Sequence, residues 1–568
     1  MAQRNIGLYR SGKLAFTILL AFFPLNLIMG QEGVNKVVDV VRPFSPTIGD
    51  ASKMRFIPRL DDSVQVTTRF DYAIQAARIN PQLRLKDLDA ADYKPLPRGE
   101  LKPSQITLGF GNYWTPMAKL ALNTLRNPKA SIGMDASHLS SQGRIKMADG
   151  RKIYAGYGDN NVRLYGQNFF RKSTLTSDVY FKEDHHYLYG YSTDSMKNGS
   201  LVTPMNLRVT QKDSVPFQRY IILGGKLSLR SNQKTSNGWQ YRVDGGYDFL
   251  LSNQEDMEHE GKLGISLTKE FEKFYVGGEM GGEYINRTHQ PDTLSYVVAH
   301  LDPWIGFNWK FIKLTAGPKV AMDRNAEKLI FYPRLTAEIN ITNVLVPYFG
   351  LNGYYENHTI RSLTRENPYL IDNPNIRPTN HRFIAYGGLR GRLGSAVALN
   401  AFVSWEDARD LLFFVPDSSP LRNRFIPVYD NGSILKWGGE ISLRQSDNLS
   451  FVLKGNYYQY QLDSLAAPWH KPGWDLNLTA RYAWKNKLMV KADVFVFGKY
   501  SVPEPDPIIG KVKEISGLVD VNLAAEYRIT SWMSVFGQIN NLLSDQYYVW
   551  QNYPMQRINF IAGLSWIF

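Results

Sequence analysis

The chain has 568 residues, of which 43% are apolar and 13% aromatic, and it carries a formal net charge of +14. The positive charge is spread along the chain without a basic run or a nucleic-acid motif, so we expect no nucleic-acid partner. The absence of cysteine excludes disulfides, thiolate metal ligands, a cysteine nucleophile and a lipid-modified N-terminal cysteine.

The N-terminus has the pattern of a secretory signal peptide. Arg4, Arg10 and Lys13 precede an apolar run over residues 14–29, and a polar stretch follows. We predict a signal peptide at residues 1–30. The alternative is a membrane anchor, but a helix needs about 20 apolar residues to span a bilayer and this run is shorter.

Residues 31–104 differ from the rest of the chain. Valine is frequent at the start of this segment, and prolines such as Pro95, Pro97 and Pro103 interrupt its end. Residues 64–74 alternate in the way a β-strand does. We predict a short, irregular periplasmic segment that associates with the lumen of a barrel.

From Gln105 onward, an alternating segment is followed by a short polar turn, a second segment and a longer loop. Short periplasmic turns and long extracellular loops are typical of outer-membrane barrels. We predict that residues 105–568 form an all-β, antiparallel transmembrane β-barrel of about 22 strands, within a range of about 16–22. The predicted turns are residues 126–129, 268–273, 341–343, 445–448, 484–487 and 528–532, and the predicted loops are 141–159, 191–215, 358–379, 408–432 and 499–513.

The two faces of the predicted strands differ in polarity. Val521 and Leu523 share one side of a segment whose other side carries Asp520 and Glu526. Lipid cannot satisfy backbone polar groups, so the sheet must close on itself and its charged face must line the lumen. The residues predicted to face the lumen are Arg242, Asp244, Arg334, Glu338, Asp493, Asp520, Glu526 and Arg528.

The last residues of the chain form a two-faced strand that ends on an aromatic residue. Phe560, Leu564, Trp566 and Phe568 share its apolar face. This pattern resembles the signal that the barrel-assembly machinery reads, which implies that machinery as a partner during biogenesis and outer-membrane lipid as a permanent one. The alternative is an edge strand of a soluble sandwich.

Two hairpins resemble those of TonB-dependent receptors. Asn540-Asn541-Leu542, Tyr547, Tyr553-Pro554 and residues 557–568 resemble the last hairpin of that family. Gly109-Phe110-Gly111-Asn112-Tyr113 with Thr115-Pro116 resembles the first barrel hairpin of such receptors from the Bacteroidota. Receptors of this family carry a globular plug domain and a motif that contacts TonB. Residues 31–104 are too few for that plug, so we expect a receptor-like barrel that lacks it.

No catalytic, cofactor or metal site is predicted. His185 and His186 are adjacent in an alternating run and so point to opposite faces, which is a poor arrangement for one metal ion. Four acidic residues and a histidine fall within residues 255–260, in a predicted external loop. Such oxygen ligands suit Ca²⁺, although a solvated acidic loop has the same composition.

Three functions stay open at this point. The first, which the receptor resemblance favours, is solute transport across the outer membrane, either passive or gated by a partner. The second is a non-transporting subunit of a larger outer-membrane machine for protein assembly or secretion, and the third is a barrel enzyme. A barrel of about 22 strands encloses a wide lumen. We expect residues 31–104 and loops 191–215 and 408–432 to fill it, with or without a partner protein.

Overall fold

The computed structural model describes residues 104–568, apart from residues 125–126, 128, 192–211, 213–214, 233–237, 290, 324–326, 341–343, 395, 420, 447, 486 and 505–510. The predicted signal peptide and all but the last residue of the predicted segment 31–104 lie outside the described residues. Most of the predicted loop 191–215 also lies outside them.

Twenty-two strands of the described chain belong to one antiparallel sheet. They are β1 (Ser104–Gly111), β2 (Thr115–Asn123), β3 (Ala130–Ser141), β6 (Tyr157–Phe169), β7 (Ser173–Tyr187), β8 (Phe217–Ser231), β9 (Trp239–Ser252), β10 (Met257–Glu270), β11 (Phe274–His289), β12 (Asp292–Trp309), β13 (Ile312–Asp323), β14 (Lys328–Ile339), β15 (Leu345–Glu356), β16 (Thr379–Leu393), β17 (Val397–Pro416), β18 (Phe425–Ser446), β19 (Leu449–Leu462), β20 (Trp474–Trp484), β21 (Leu488–Phe497), β24 (Leu518–Arg528), β25 (Met533–Asn540) and β28 (Asn559–Ile567). Three hairpins lie in the connections: β4 (Arg144–Lys146) with β5 (Lys152–Tyr154), β22 (Tyr500–Glu504) with β23 (Lys511–Ile515), and β26 (Tyr548–Trp550) with β27 (Tyr553–Pro554).

The sheet closes into a barrel between its first and last strands. β1 pairs with β2 on one side and with β28 on the other, where Leu108 lies opposite Leu564. Closure removes the free edges that an open sheet would present to lipid. The predicted antiparallel β-barrel of about 22 strands is confirmed.

Exposed and buried side chains alternate along the strands, as the pleat of a strand requires. In β28, Phe560 is 51% exposed, whereas the next residue, Ile561, is only 3% exposed. Large apolar side chains such as Phe331, Met280 and Ile441 are exposed in the same way on other strands. A closed sheet with so apolar an outward face is stable in lipid rather than in water.

The two ends of the barrel have different connections. At one end the strands are joined by short turns, which include residues 124–129, 271–273, 485–487 and 529–532. At the other end lie the long connections 142–156, 188–216, 357–378, 463–473, 498–517 and 541–558. Long loops mark the extracellular end in barrels of this kind.

Two details of the predicted loops are wrong. The predicted loop 408–432 is mostly strand, because β17 and β18 pair along it and leave only residues 417–424 as a connection. The outer connections are not all long either, since residues 112–114, 253–256, 290–291 and 324–327 are connections of only two to four residues. The strands at these positions extend further than the polar composition suggests.

The part of the chain that the structure describes holds one α-helix, α1 (Ile360–Glu366), in connection 357–378. Thr359 caps its N-terminus, since its side chain accepts a hydrogen bond from the Ser362 amide and the Ser362 hydroxyl accepts one from the Thr359 amide. Within the described residues, no helix has the length and apolarity needed to cross a bilayer.

Candidate functional site

The long connections meet in one buried apolar cluster, which we call the loop core. Its members come from connections that leave the barrel wall at widely separated strands, and such elements can pack together only across the mouth of the ring. The loop core therefore lies across the extracellular mouth. Its members in the connections are Ile145, Met147, Ile153, Tyr154, Ala155, Leu188, Tyr189, Tyr191, Val215, Ile360, Leu363, Tyr369, Leu370, Ile376, Tyr547, Val549, Trp550, Tyr553 and Met555; those in the barrel strands are Tyr157, Tyr187, Tyr220, Ile222, Leu250, Phe414, Phe425 and Leu518.

Three tyrosines from three connections form the centre of the loop core. The rings of Tyr369 and Tyr553 stack with 3.6 Å between their centroids, and the ring of Tyr189 packs edge-on against Tyr553 at 4.9 Å. The Tyr189 hydroxyl donates to the Pro554 carbonyl at 2.9 Å, and the Tyr553 hydroxyl donates to the Asn423 carbonyl. Burial raises the pKa of the Tyr369 and Tyr553 hydroxyls well above the ordinary value, so both rings remain neutral.

His470 joins connection 463–473 to this centre. Its ring lies 5.0 Å from the ring of Trp550 and 5.3 Å from that of Phe425. Its Nδ1 lies 2.9 Å from the Phe414 carbonyl and its Nε2 lies 3.4 Å from the Gln551 amide. These partners require a hydrogen on Nδ1 and a lone pair on Nε2, which is the neutral ring. Burial lowers the pKa of His470 to about 3, in agreement with that geometry.

Connection 357–378 is fastened to the barrel wall by ion pairs as well as by apolar packing. The Arg361 guanidinium lies 2.7 Å from Asp248 on β9 and 2.6 Å from Glu260 on β10. Glu258, also on β10, accepts hydrogen bonds from the Ile360 amide at 2.8 Å and from Arg287 at 2.9 Å. We call these five charged residues the α1 anchor. Their burial makes the pairs interdependent, because removing one partner leaves a buried charge unmatched.

The α1 anchor corrects the prediction of an acidic external loop at residues 255–260. β10 begins at Met257, so Glu258 and Glu260 belong to the wall and face buried cations, while His259 lies on the opposite face with Nδ1 2.6 Å from the Tyr247 hydroxyl. No group of three or more potential metal ligands converges anywhere in the described part of the chain. His185 and His186 follow each other within β7, and Nδ1 of His185 lies 3.2 Å from Glu183.

The charges predicted to line the lumen are dispersed over four strands rather than gathered into one site. Most of them have a partner on the same strand or on a strand one or two places away. Arg242 pairs with Asp244 at 2.6 Å, Arg334 with Asp302 at 2.5 Å, Glu338 with Arg390 at 2.9 Å and Asp493 with Lys491 at 3.0 Å; Glu526 accepts from Ser534 at 2.5 Å, Asp520 accepts from Tyr547 at 3.3 Å, and Arg528 is half-buried at the end of β24. The arrangement provides a polar wall in which most of these charges are paired.

Sequence reasoning did not identify the loop core or the α1 anchor. Thr359 followed three residues later by Ser362 is a helix N-cap signal that could have located α1. The partners Tyr369 and Tyr553 are far apart in sequence, and no local pattern connects them. The contacts depend on how the closed barrel brings its connections together.

Neither a family model nor a curated protein matches the chain. Solved structures do match. The siderophore receptor PirA from Acinetobacter baumannii has a TM-score of 0.62 and 10% identity over 82% of this chain and 80% of that chain. The ferric-catecholate import receptor Fiu from E. coli K12 has a TM-score of 0.60 and 9% identity over 82% of both chains. The FrpB iron transporter from Neisseria meningitidis has a TM-score of 0.61 and 9% identity over 82% of this chain and 81% of that chain.

The chain shares the fold of these outer-membrane barrels. The predicted receptor-like barrel is thus confirmed at the level of the fold. This fold and the apolar outward face together place the chain in the cell outer membrane.

Proposed function

We propose that this protein is a gated transport barrel of the outer membrane and that the loop core is its closed gate. The observation that carries the proposal is the position of the loop core across the extracellular mouth of a barrel with a polar, charged wall. A solute entering from outside meets this apolar cluster first. Transport therefore requires the connections to separate.

The composition of the wall supports passage of a hydrated solute. The eight charged side chains from Arg242 to Arg528 named above lie on strands whose other face is apolar and exposed. We propose that they face the lumen and that the exposed apolar face contacts lipid. Paired charges of both signs would keep the lumen wet without attracting ions of one sign strongly.

The packing of the loop core supports a gate that can open. The indole N–H group of Trp550 is buried and has no hydrogen-bond partner among the described residues. Each such buried donor costs about 1–3 kcal/mol relative to a hydrated one. That cost makes the closed arrangement less stable than a fully satisfied core of the same size.

The experiment is to open the gate by mutation. Trp550→Ala removes a ring that contacts Phe414, Phe425 and His470. We expect cells with this variant to become sensitive to a bulky antibiotic that the intact outer membrane excludes. Trp114→Ala is the matched control, because Trp114 is exposed at the same end of the barrel. Equal resistance of the two variants, at equal amounts in the outer membrane, would contradict the gate.

The segment before the barrel is part of the same proposal. We infer that residues 31–104 occupy a portion of the lumen below the gate and that the chain resembles a receptor barrel without the globular plug. Deleting residues 34–100 while keeping the signal peptide should raise the conductance of the Trp550→Ala variant further. If the deletion leaves that conductance unchanged, the segment lies elsewhere.

A second candidate function rests on the density of the loop core. Trp550 and Tyr553 are almost wholly buried, as in the core of a permanent structure. A barrel closed permanently in this way would serve as a subunit of an outer-membrane machine rather than as a transporter. It would copurify with its partner proteins, and neither Trp550→Ala nor Trp114→Ala would change permeability.

A further inference from the structure

A recess in the inner wall of the barrel carries two cationic side chains. Asp302, Lys319, Arg334, Asn352 and Tyr386, from five neighbouring strands, are among the residues that line it. The outward face of the same strands is apolar, with Leu301, Phe331 and Phe349 exposed there. Because side chains alternate between faces, the recess opens toward the side that the proposed function assigns to the lumen.

The two cations of the recess differ in what they contact. The Arg334 guanidinium pairs with Asp302 at 2.5 Å and lies 4.2 Å from the centre of the Trp304 ring, so it is held on both sides. The Lys319 ammonium has no carboxylate within ion-pair distance in the described part of the chain, and it lies 5.9 Å from the centre of the Tyr354 ring. Lys319 is thus a half-buried cation without a counter-charge in direct contact.

Asp302 is the one carboxylate among the residues that line the recess. Asp302 is already paired with Arg334, and Glu279, the next carboxylate, is opposite Asp302 on β11. β11 and β13 flank β12 on opposite sides, so Asp302 stands between Glu279 and Lys319. Among the residues that line the recess, two cations face one carboxylate, which leaves a net positive charge.

The neutral polar groups of the recess add hydrogen-bond donors to this charge. The Asn352 amide and the Tyr386 hydroxyl both line it and both can donate. A cation, an arginine fork and neutral donors around one recess form the usual environment for a carboxylate or a phosphate group. Cation ligands would require the reverse arrangement, with several carboxylates or carbonyls.

We propose that this recess is a binding subsite for an oxyanion, the carboxylate or phosphate group of a solute that passes through the lumen. The proposal rests on the proposed transport function for its solute, but the subsite can be tested by binding alone. Lys319 supplies a positive charge that no carboxylate contacts directly. Arg334 supplies the N–H groups that do not bond to Asp302.

The test is calorimetric titration of the purified full chain in a neutral detergent. Inorganic phosphate and acetate serve as separate probes, and chloride keeps the ionic strength constant. We expect at least one probe to bind and Lys319→Met to weaken that binding by about tenfold or more, since a charge-assisted hydrogen bond is lost. Lys319→Arg should retain most of the binding.

Lys313→Met is the matched control, because Lys313 lies on the same strand and the same face but is exposed near the other end of β13. It should bind the probe as the unchanged protein does. Absence of binding by both probes, or equal loss in the Lys319→Met and Lys313→Met variants, would overturn the subsite. The result is independent of gating, since a failed gate leaves binding intact and a failed subsite leaves the antibiotic sensitivity of Trp550→Ala intact.

Discussion

Tyr369 and Tyr553 stack face to face in the extracellular mouth, although one belongs to connection 357–378 and the other to connection 541–558. Both rings are about 1% exposed. Such a pair contributes about 0.5–1.5 kcal/mol beyond the burial of its surface. The stack joins two connections that leave the barrel on different sides and makes the loop core a single cooperative unit.

A double-mutant cycle should detect this coupling. Tyr369→Ala and Tyr553→Ala should each lower the temperature at which the folded barrel loses its heat-resistant mobility in gel electrophoresis. The double variant should lower this temperature by less than the sum of the two single effects, because the stack can be lost only once. Strict additivity would show that the two rings act independently.

The α1 anchor should hold connection 357–378 against the wall. Arg361→Met removes the cation that Asp248 and Glu260 share, and Glu260 then keeps only Lys262, at 2.6 Å. Breaking a buried ion pair costs about 3–5 kcal/mol, and we expect the loss at Asp248 to be at most of this size. We expect limited proteolysis to cleave this connection faster while the barrel strands stay protected. Arg377→Met is the control, because Arg377 lies in the same connection but is largely exposed. Equal cleavage rates in the two variants would show that the anchor is dispensable.

Acidification should weaken the loop core through His470. The pKa of His470 is about 3 in the folded protein and near the ordinary value of 6.5 when unfolded. Below pH 6.5 the unfolded state therefore binds a proton that the folded state rejects, so stability falls as the pH falls from about 6.5 toward 3. At pH 5 the difference is about 2 kcal/mol. The unchanged protein should therefore lose about 2 kcal/mol more stability between pH 7 and pH 5 than the His470→Gln variant does. An identical loss of stability in both proteins would show that His470 does not cause the pH dependence.

The outward face of the strands should not accept a charge. Ile441 on β18 is exposed, and Ser442, the next residue, points to the other side. Arginine on the lipid face near mid-membrane costs about 2–4 kcal/mol. We expect Ile441→Arg to reduce the amount of folded barrel in the outer membrane far more than Ser442→Arg, as measured by heat-modifiable mobility. Equal amounts would mean that the assignment of the two faces is wrong.

The terminal strand should be needed for assembly as well as for closure. Phe560, Leu564 and Phe568 are exposed on one face of the last residues, and β28 pairs with β1 from Ile561 to Ile567. Changing Trp566 and Phe568 to Ser should abolish insertion into the outer membrane. The same change at Trp532, exposed in the turn that directly precedes β25, should not. Normal insertion of the terminal variant would exclude an assembly signal at this position.

The barrel could be predicted from sequence because its determinants are local. Alternation in residues such as Val519 to Ile529 depends only on the pleat of one strand, and short turns such as 485–487 follow from polar residues between two such strands. The strand count followed from repeating that pattern. The predicted lumen charges remain a proposal, because pairs such as Glu338 with Arg390 and Asp493 with Lys491 suit a wall with or without a solute path.

The mouth of the barrel could not be predicted in the same way. The acidic neighbours of Glu258 in sequence predict an acidic loop. In the structure its partners are Arg287 and the amide of Ile360, which come from other parts of the chain. Tyr189, Tyr369 and Tyr553 each look like an ordinary loop aromatic when considered alone. Contacts between connections depend on how the barrel closes. No periodic pattern within one stretch of sequence indicates which connections will meet.

The conductance of the purified protein in a planar bilayer tests the gate most directly. The unchanged protein should show little or no conductance, whereas Tyr369→Ala combined with Tyr553→Ala should open large, long-lived channels, because the centre of the loop core is lost. Trp114→Ala should stay as closed as the unchanged protein. A wide, stable pore in the unchanged protein, or a double variant that folds into the bilayer and remains closed, would contradict the proposal that the loop core is the gate.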